Sequence, residues 1–412
     1  MTDIEEALQE IRDAGLYRRM RMISGPQGPR VLLDGKPVLL LCSNNYLGLA
    51  DHPRVREAAA EAAMRYGAGA GASRLISGTM RIHRRLEERL AEFKGYEAAL
   101  LFGSGYLANS GVVQALARQG DVVFSDSLNH ASIVDGCRLA GAETFVYEHG
   151  DLDHLAWGLD EAAGRGSLIV TDGVFSMDGD VAPLEGIVEL AREHDVRVMV
   201  DEAHGTGAMG PGGRGSVAHA GLEDEVDVLV GTLGKALGSY GAFVCCERQM
   251  AKYLTNTART LIFSTAPSPP SVAAAMAALE LLREQPRRVE KLQRNAVVLR
   301  DALAEEGLPA LAGESQILPV VIGDAADAMA ASERALGNGV FAQAVRPPTV
   351  PAGTSRLRLT VMASHTKSEL RDAAKTLATS VPGSVRKGVA KRALAVAPVE
   401  VGGVYDGLAD AA

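Results

Sequence analysis

The residues with the clearest chemical potential lie at the ends of two β-rich runs. Val226–Val230 leads into Gly231-Thr232-Leu233-Gly234-Lys235-Ala236-Leu237-Gly238. Small neighbours leave the Lys235 amine room beside a bulky ligand, and a neutral amine can add to a carbonyl to form a Schiff base. Thr232, three residues earlier, offers a hydroxyl to a phosphate on the same ligand. Asp201 stands 34 residues before the lysine, at the end of Arg197–Val200 and ahead of Glu202-Ala203-His204. A carboxylate there can pair with a protonated ring nitrogen and make that ring an electron sink. Taken singly, a solvated lysine and an aspartate capping the next turn are the better explanations of the two residues. Taken together at successive strand ends, they favour pyridoxal phosphate.

Three further turns follow strand-like runs. Phe102-Gly103-Ser104-Gly105-Tyr106 opens a helical stretch, and the free amides of a helix start suit a phosphate. An ordinary glycine turn would read the same way. His130, in Ser127-Leu128-Asn129-His130-Ala131-Ser132, can lie against a flat cofactor ring, although a lone histidine is more often a capping or core residue. Ser176, in Val174–Asp180, can reach a ring hydroxyl.

Positioning these groups requires alternating elements. Seven β-rich runs recur at Ala98–Phe102, Val122–Ser125, Thr144–Tyr147, Leu168–Thr171, Arg197–Asp201, Val226–Val230 and Ala242–Cys246. Most are continuously apolar, as strands buried on both faces are. Helical patterns over Ala108–Arg118, Ile133–Ala140, Asp153–Ala163 and Leu184–His194 separate them. This alternation predicts an α/β fold with a mostly parallel sheet and helices on both faces, its sites at the carboxyl ends of strands. After the break Thr265–Pro270, a long helical pattern over Ser271–Glu306 is interrupted near Pro286. Strand-like Gln316–Ile322 and Arg356–Val361, with helices near Ala325–Leu336 and Lys367–Thr379, predict a smaller α+β domain. The expected division is an N-terminal segment 1–45, a large domain 46–285, a small domain 286–380 and a loosely ordered tail 381–412.

Composition narrows the class. The 412 residues are 47% hydrophobic and 23% charged, an ordinary globular balance with chain enough for two or three units. The net charge of −9 and an aromatic content of 4% give no general attraction to nucleic acid or to an anionic membrane. Cys42, Cys137, Cys245 and Cys246 lack CxxC spacing and read as reduced thiols of a cytoplasmic protein. No apolar run reaches 18 residues, and the acidic amphipathic start lacks a secretory core. Asp201-Glu202-Ala203-His204 spells a helicase box, but no GxxxxGK[ST] loop accompanies it. No HExxH or Cys/His pairing suggests zinc.

The motifs as a set resemble the α-oxoamine synthases. They are SNNYLGLA (43–50), GAGASRLISG (69–78), FGSGYLAN (102–109), NHASI (129–133), DGVFSMDGD (172–180), VDEAHGTG (200–207), GTLGKALG (231–238), IFSTAPSPP (262–270) and RPPTVPAGTSRLRLT (346–360). The resemblance covers about residues 16–380. It implies a fold-type I PLP-dependent transferase with a seven-stranded sheet, acting as an acyltransferase between an acyl thioester and an amino acid. The 346–360 segment is most similar to members that join a pimeloyl thioester to L-alanine. Members that join acetyl-CoA to glycine are the alternative.

The same resemblance implies roles. Lys235 would hold the cofactor and move the α-proton, Asp201 would pair with its ring nitrogen, and His130 would stack on the ring and orient substrate. Ser176 and His204 would contact the ring hydroxyl. Ser104, Gly105, Tyr106 and Thr232 would bind phosphate or ring. Ser264 and Thr265 would reach the phosphate of a neighbouring subunit, which implies a homodimer with shared sites. Arg358 would bind the amino-acid carboxylate, with Arg346 and Asn44 nearby, while Arg18 and Thr349 would meet the acyl substrate. The thioester carrier would be CoA or an acyl carrier protein.

Overall fold

The structure, a computed structural model, describes residues 3–308, 310 and 313–385. Three short strands come first: β1 (Ile23–Ser24), β2 (Arg30–Leu33) and β3 (Lys36–Leu40). Seven follow: β4 (Ala98–Phe102), β5 (Val122–Asp126), β6 (Glu143–Tyr147), β7 (Gly166–Asp172), β8 (Arg197–Asp201), β9 (Val228–Thr232) and β10 (Ala242–Cys246). These seven form one sheet in the order β4-β10-β9-β8-β7-β5-β6. Only β10 runs against its neighbours, pairing antiparallel with β4 and β9.

The apolar runs become strands because both faces are covered. Leu101, Phe124, Ile169, Val198, Val200, Leu229 and Phe243 pack on one face with Leu86 and Leu90 of the helix Arg81–Lys94, Leu155 of Leu152–Glu161 and Ile187 of Leu184–Glu193. Their alternate neighbours Leu100, Val123, Leu168, Val170, Met199, Val228 and Val244 pack on the other with Val112 of Gly105–Leu116, Ile133 of Ala131–Ala140 and Leu254 of Arg248–Thr257. Successive side chains of a strand point to opposite faces, so a strand covered on both sides has no polar register.

The second part is also α+β. Strands β11 (Ile317–Gly323), β13 (Gln343–Val345) and β14 (Ser355–Thr360) form an antiparallel sheet in the order β11-β14-β13, while β12 (Val340–Phe341) pairs parallel with β3. The N-terminal segment is therefore joined to the C-terminal part by a sheet. The long helical pattern is two helices, Pro269–Glu284 and Arg287–Glu305, parted at Pro286. Val381 and Val385, at the start of the expected tail, are buried against the main core, whereas the tail from 386 to 412 lies outside the described residues.

Candidate active site

The carboxyl ends of β5, β7, β8 and β9 converge on one cluster. Asp172 and Asp201 end β7 and β8 and are direct partners in the parallel register. Asp201 is buried; its Oδ1 accepts the Ala203 amide at 2.8 Å and its Oδ2 accepts Asn109 Nδ2 at 2.6 Å. The other hydrogen of that amide goes to Ser132 Oγ at 2.9 Å, and Ser132 Oγ lies 2.7 Å from His130 Nδ1. Ser132 also gives its backbone N–H to His130 Nδ1. That nitrogen is thus an acceptor, and the neutral ring carries its proton on Nε2. Burial, with the Lys235 charge added, lowers the His130 pKa despite Asp201.

Lys235 stands in the turn after β9. Thr232 Oγ1 accepts the Gly234 amide at 3.1 Å and donates to Gly241 O at 3.2 Å, which fixes the turn around the lysine. Gly238 has φ of 59°, and a Cβ there would lie 2.4 Å from Ala50 N. Only glycine allows this close approach between the lysine turn and the 43–50 segment. Burial lowers the Lys235 pKa to about 8, against the opposing pull of Asp201 and Asp172. Its Nζ lies 2.8 Å from His204 Nε2. Asp172 is pushed well above the ordinary carboxyl range by burial and by the Asp201 charge, while the His130 amide bonds its Oδ2.

A strand face supplies the cationic side. Arg356 and Arg358 are two residues apart on β14 and so share one face. They meet two residues of the 173–181 turn with the same spacing: Arg356 pairs with Asp178, and Arg358 Nε donates to Ser176 O. Arg358 Nη1 also reaches Asn44 Oδ1 at 3.3 Å. The 41–46 segment is fixed there by the bonds from Thr360 N to Leu41 O and from Ala363 N to Tyr46 O, both 2.7 Å.

Other expected site residues fall around this centre. Ser104 caps the helix Gly105–Leu116, its Oγ accepting the Leu107 amide at 3.2 Å. The Gly105 and Tyr106 amides occupy the first turn, where no intrahelical acceptor exists, and a Cβ at Gly105 would meet open space. The exposed Tyr106 hydroxyl bonds Asp135. Arg346 bonds the carbonyls of Gly15 and Tyr17, and the Arg18 charge acts on it; the Thr349 amide bonds Arg346 O at 3.1 Å. Arg346 and Thr349 therefore lie where the 346–349 turn meets the N-terminal segment that carries Arg18. Thr265 is exposed and bridges to Ser73, and Ser264 is half-buried beside it.

Reading the motifs missed Asn109, Asp172 and Tyr46 as site residues. All three lie within quoted motifs, but only the fold shows Asn109 on Asp201, Asp172 beside it, and Tyr46 on His204.

The family model described as aminotransferase class I and II matches residues 36–377. The chain belongs to that family. It is 53% identical over 374 residues to an 8-amino-7-oxononanoate synthase of Geobacter sulfurreducens, covering 90% of this chain and 96% of the relative. Among solved structures, a PLP-bound serine palmitoyltransferase from S. paucimobilis superposes with a TM-score of 0.87 at 32% identity, over 92% of this chain and 96% of that one. An 8-amino-7-oxononanoate synthase from Francisella tularensis superposes at 0.72 with 27% identity, over 83% and 97%.

The donor set fits pyridoxal phosphate. A buried carboxylate ends one strand, an amine of lowered pKa follows the next, and a helix start with open space at Gly105 faces the same sheet end.

Proposed function

We propose that this chain condenses a pimeloyl thioester with L-alanine, yielding 8-amino-7-oxononanoate, carbon dioxide and the free thiol, an early step of biotin biosynthesis. The observation that carries this reading is 53% identity to a synthase of that name over nearly its whole length. The Lys235–Asp201 pair at adjacent strand ends supplies the chemistry. Pyridoxal phosphate, held by Lys235, would act as the electron sink for the alanine carbanion and for decarboxylation.

The chain's own residues divide the work. Asp201, its orientation fixed by Asn109 and the Ala203 amide, would pair with the ring nitrogen. His130, set by Ser132, would stack on the ring. Ser176 and His204 serve the ring hydroxyl. Ser104, Gly105, Tyr106 and Thr232 serve the phosphate end, with Ser264 and Thr265 from a second copy in a homodimer. Lys235 takes the α-proton, for which a pKa of about 8 leaves part of the amine neutral near physiological pH. Arg358 and Asn44 bind the alanine carboxylate with Arg346 nearby, while Arg18 and Thr349 receive the acyl end. The carrier is CoA or an acyl carrier protein.

We also propose the division into segment 1–45, large domain 46–285, small domain 286–380 and tail 381–412, and a cytoplasmic location. The four cysteines form no disulfide among the described residues, and burial raises their thiol pKa values. No described helix is long and apolar enough to cross a membrane.

The test is thiol release by the pyridoxal phosphate-loaded enzyme. Pimeloyl-CoA with L-alanine is expected to exceed acetyl-CoA with glycine by at least about tenfold in kcat/KM, the scale on which a shaped pocket separates apolar chains. Preference for acetyl-CoA and glycine would overturn the substrate assignment.

A further inference from the structure

One buried chain of side chains connects the lysine to the substrate-facing arginine. Tyr46 is wholly buried, and its hydroxyl lies 2.6 Å from His204 Nδ1 and 3.1 Å from Asn44 Oδ1. His204 is also buried, and its Nε2 lies 2.8 Å from Lys235 Nζ. Asn44 Oδ1 accepts Arg358 Nη1 at 3.3 Å. The sequence Lys235–His204–Tyr46–Asn44–Arg358 is therefore continuous and contains no charged carboxylate.

We propose that Tyr46 is a positioning residue that selects which nitrogen of His204 carries the proton, and thereby couples the state of the Lys235 amine to the Asn44–Arg358 contact.

A tyrosine hydroxyl has one proton to give, and a neutral imidazole has one N–H. Two arrangements follow. When Lys235 is an ammonium, it donates to His204 Nε2, His204 Nδ1–H donates to Tyr46, and Tyr46 donates to Asn44 Oδ1. When the amine is neutral, Tyr46 turns its proton to His204 Nδ1, and Nε2–H points to Lys235 or to a ligand replacing it. The second state holds one proton fewer, which leaves to solvent. It also frees Asn44 Oδ1 for Arg358 alone. Burial and the Lys235 and Arg358 charges hold the His204 pKa well below its ordinary value, so tautomer choice rather than protonation is its available response. Burial likewise keeps the Tyr46 phenol protonated, with Arg358 and Gln316 as its polar neighbours. Asp201 and Asp172 act on the lysine end.

This inference rests on the proposed role of Lys235, and its test separates the two. In protein freed of cofactor, the pH midpoint of Lys235 labelling by an amine-reactive reagent would be compared between the wild type and Tyr46→Phe. The midpoint of the variant is expected to be displaced by a three- to tenfold change in proton affinity, about the effect of one hydrogen bond. Loading with pyridoxal phosphate should give a visible absorbance band in both, and its absence in the wild type would remove the Lys235 assignment. A normal band with an unmoved labelling midpoint would overturn the role of Tyr46. A second measurement needs no variant. In the cofactor-free wild type, the ¹⁵N shifts of His204 should exchange Nδ1–H for Nε2–H character across the Lys235 titration. A titration without that exchange would overturn the proposal.

Discussion

At the scale of single residues, burial and charge give the site its reactivity. Lys235 would be an inert ammonium in water near neutral pH; desolvation brings it to about 8 even though Asp201 and Asp172 favour its charge. The proton thus leaves between pH 8 and the ordinary lysine value of 10.5, where the unfolded chain still holds it, so this group contributes stability as pH rises through that window. In protein freed of cofactor, labelling of Lys235 by an amine-reactive reagent should show a midpoint near pH 8, read by peptide mass spectrometry. A midpoint near 10.5 would show that the amine is not desolvated. Asp172 follows the same logic with opposite sign: burial and the like charge of Asp201 push its pKa well above the ordinary carboxyl range.

At the scale of elements, the turn between β7 and β8 must be held so that Ser176 can meet Arg358. Two ties hold it. One is the Arg356–Asp178 pair. The other is His149, whose Nδ1 lies 3.0 Å from Asp126 Oδ1 at the end of β5 and whose Nε2 lies 2.7 Å from Asp180 Oδ2 in the turn. Burial opposes its charge, but the hydrogen bonds and charges of both aspartates outweigh this and raise its pKa to about 10. A raised pKa stabilises the fold fully below the unfolded value of 6.5, and the contribution is lost as pH climbs through about 10. His149→Gln keeps hydrogen-bonding groups but not the charge. At pH 6 it should lose about 2 kcal/mol in denaturant unfolding, and the gap to the wild type should close above pH 10. A pH-independent gap would show that shape, not charge, is the contribution of His149.

At the scale of the molecule, one apolar core runs through both parts. Leu299 and Leu303 of the helix Arg287–Glu305 belong to the same cluster as Leu101 and Phe243 of the large sheet, and Leu39 of β3 joins them. The two proposed domains should therefore unfold together. Leu299→Ala should cost about 2–5 kcal/mol. Its transition should appear at one midpoint by far-ultraviolet circular dichroism and by fluorescence of Trp157, the single tryptophan, which lies beside the large sheet on Phe145. Separate midpoints would mean that the two parts unfold independently.

The sequence alone determined a great deal. The seven β-rich runs became the seven strands, since a strand buried on both faces needs no partner information to be recognised; β6, at the sheet edge and largely exposed, is the exception. Edges shifted by a residue or two, most visibly where Val226–Val230 became Val228–Thr232 and brought Thr232 into the strand. Glycines beside Lys235 and a carboxylate at a strand end also pointed to the candidate site, because those demands are local. The short strands β1, β2, β3 and β12 were not legible, since brief pairings are defined by a partner far along the chain. Nor were Asn109, Asp172 and Tyr46, whose importance lies in contacts with residues up to 158 positions away. Local chemistry can be read along a chain, but a hydrogen-bond partner or a shared burial exists only once the chain has folded.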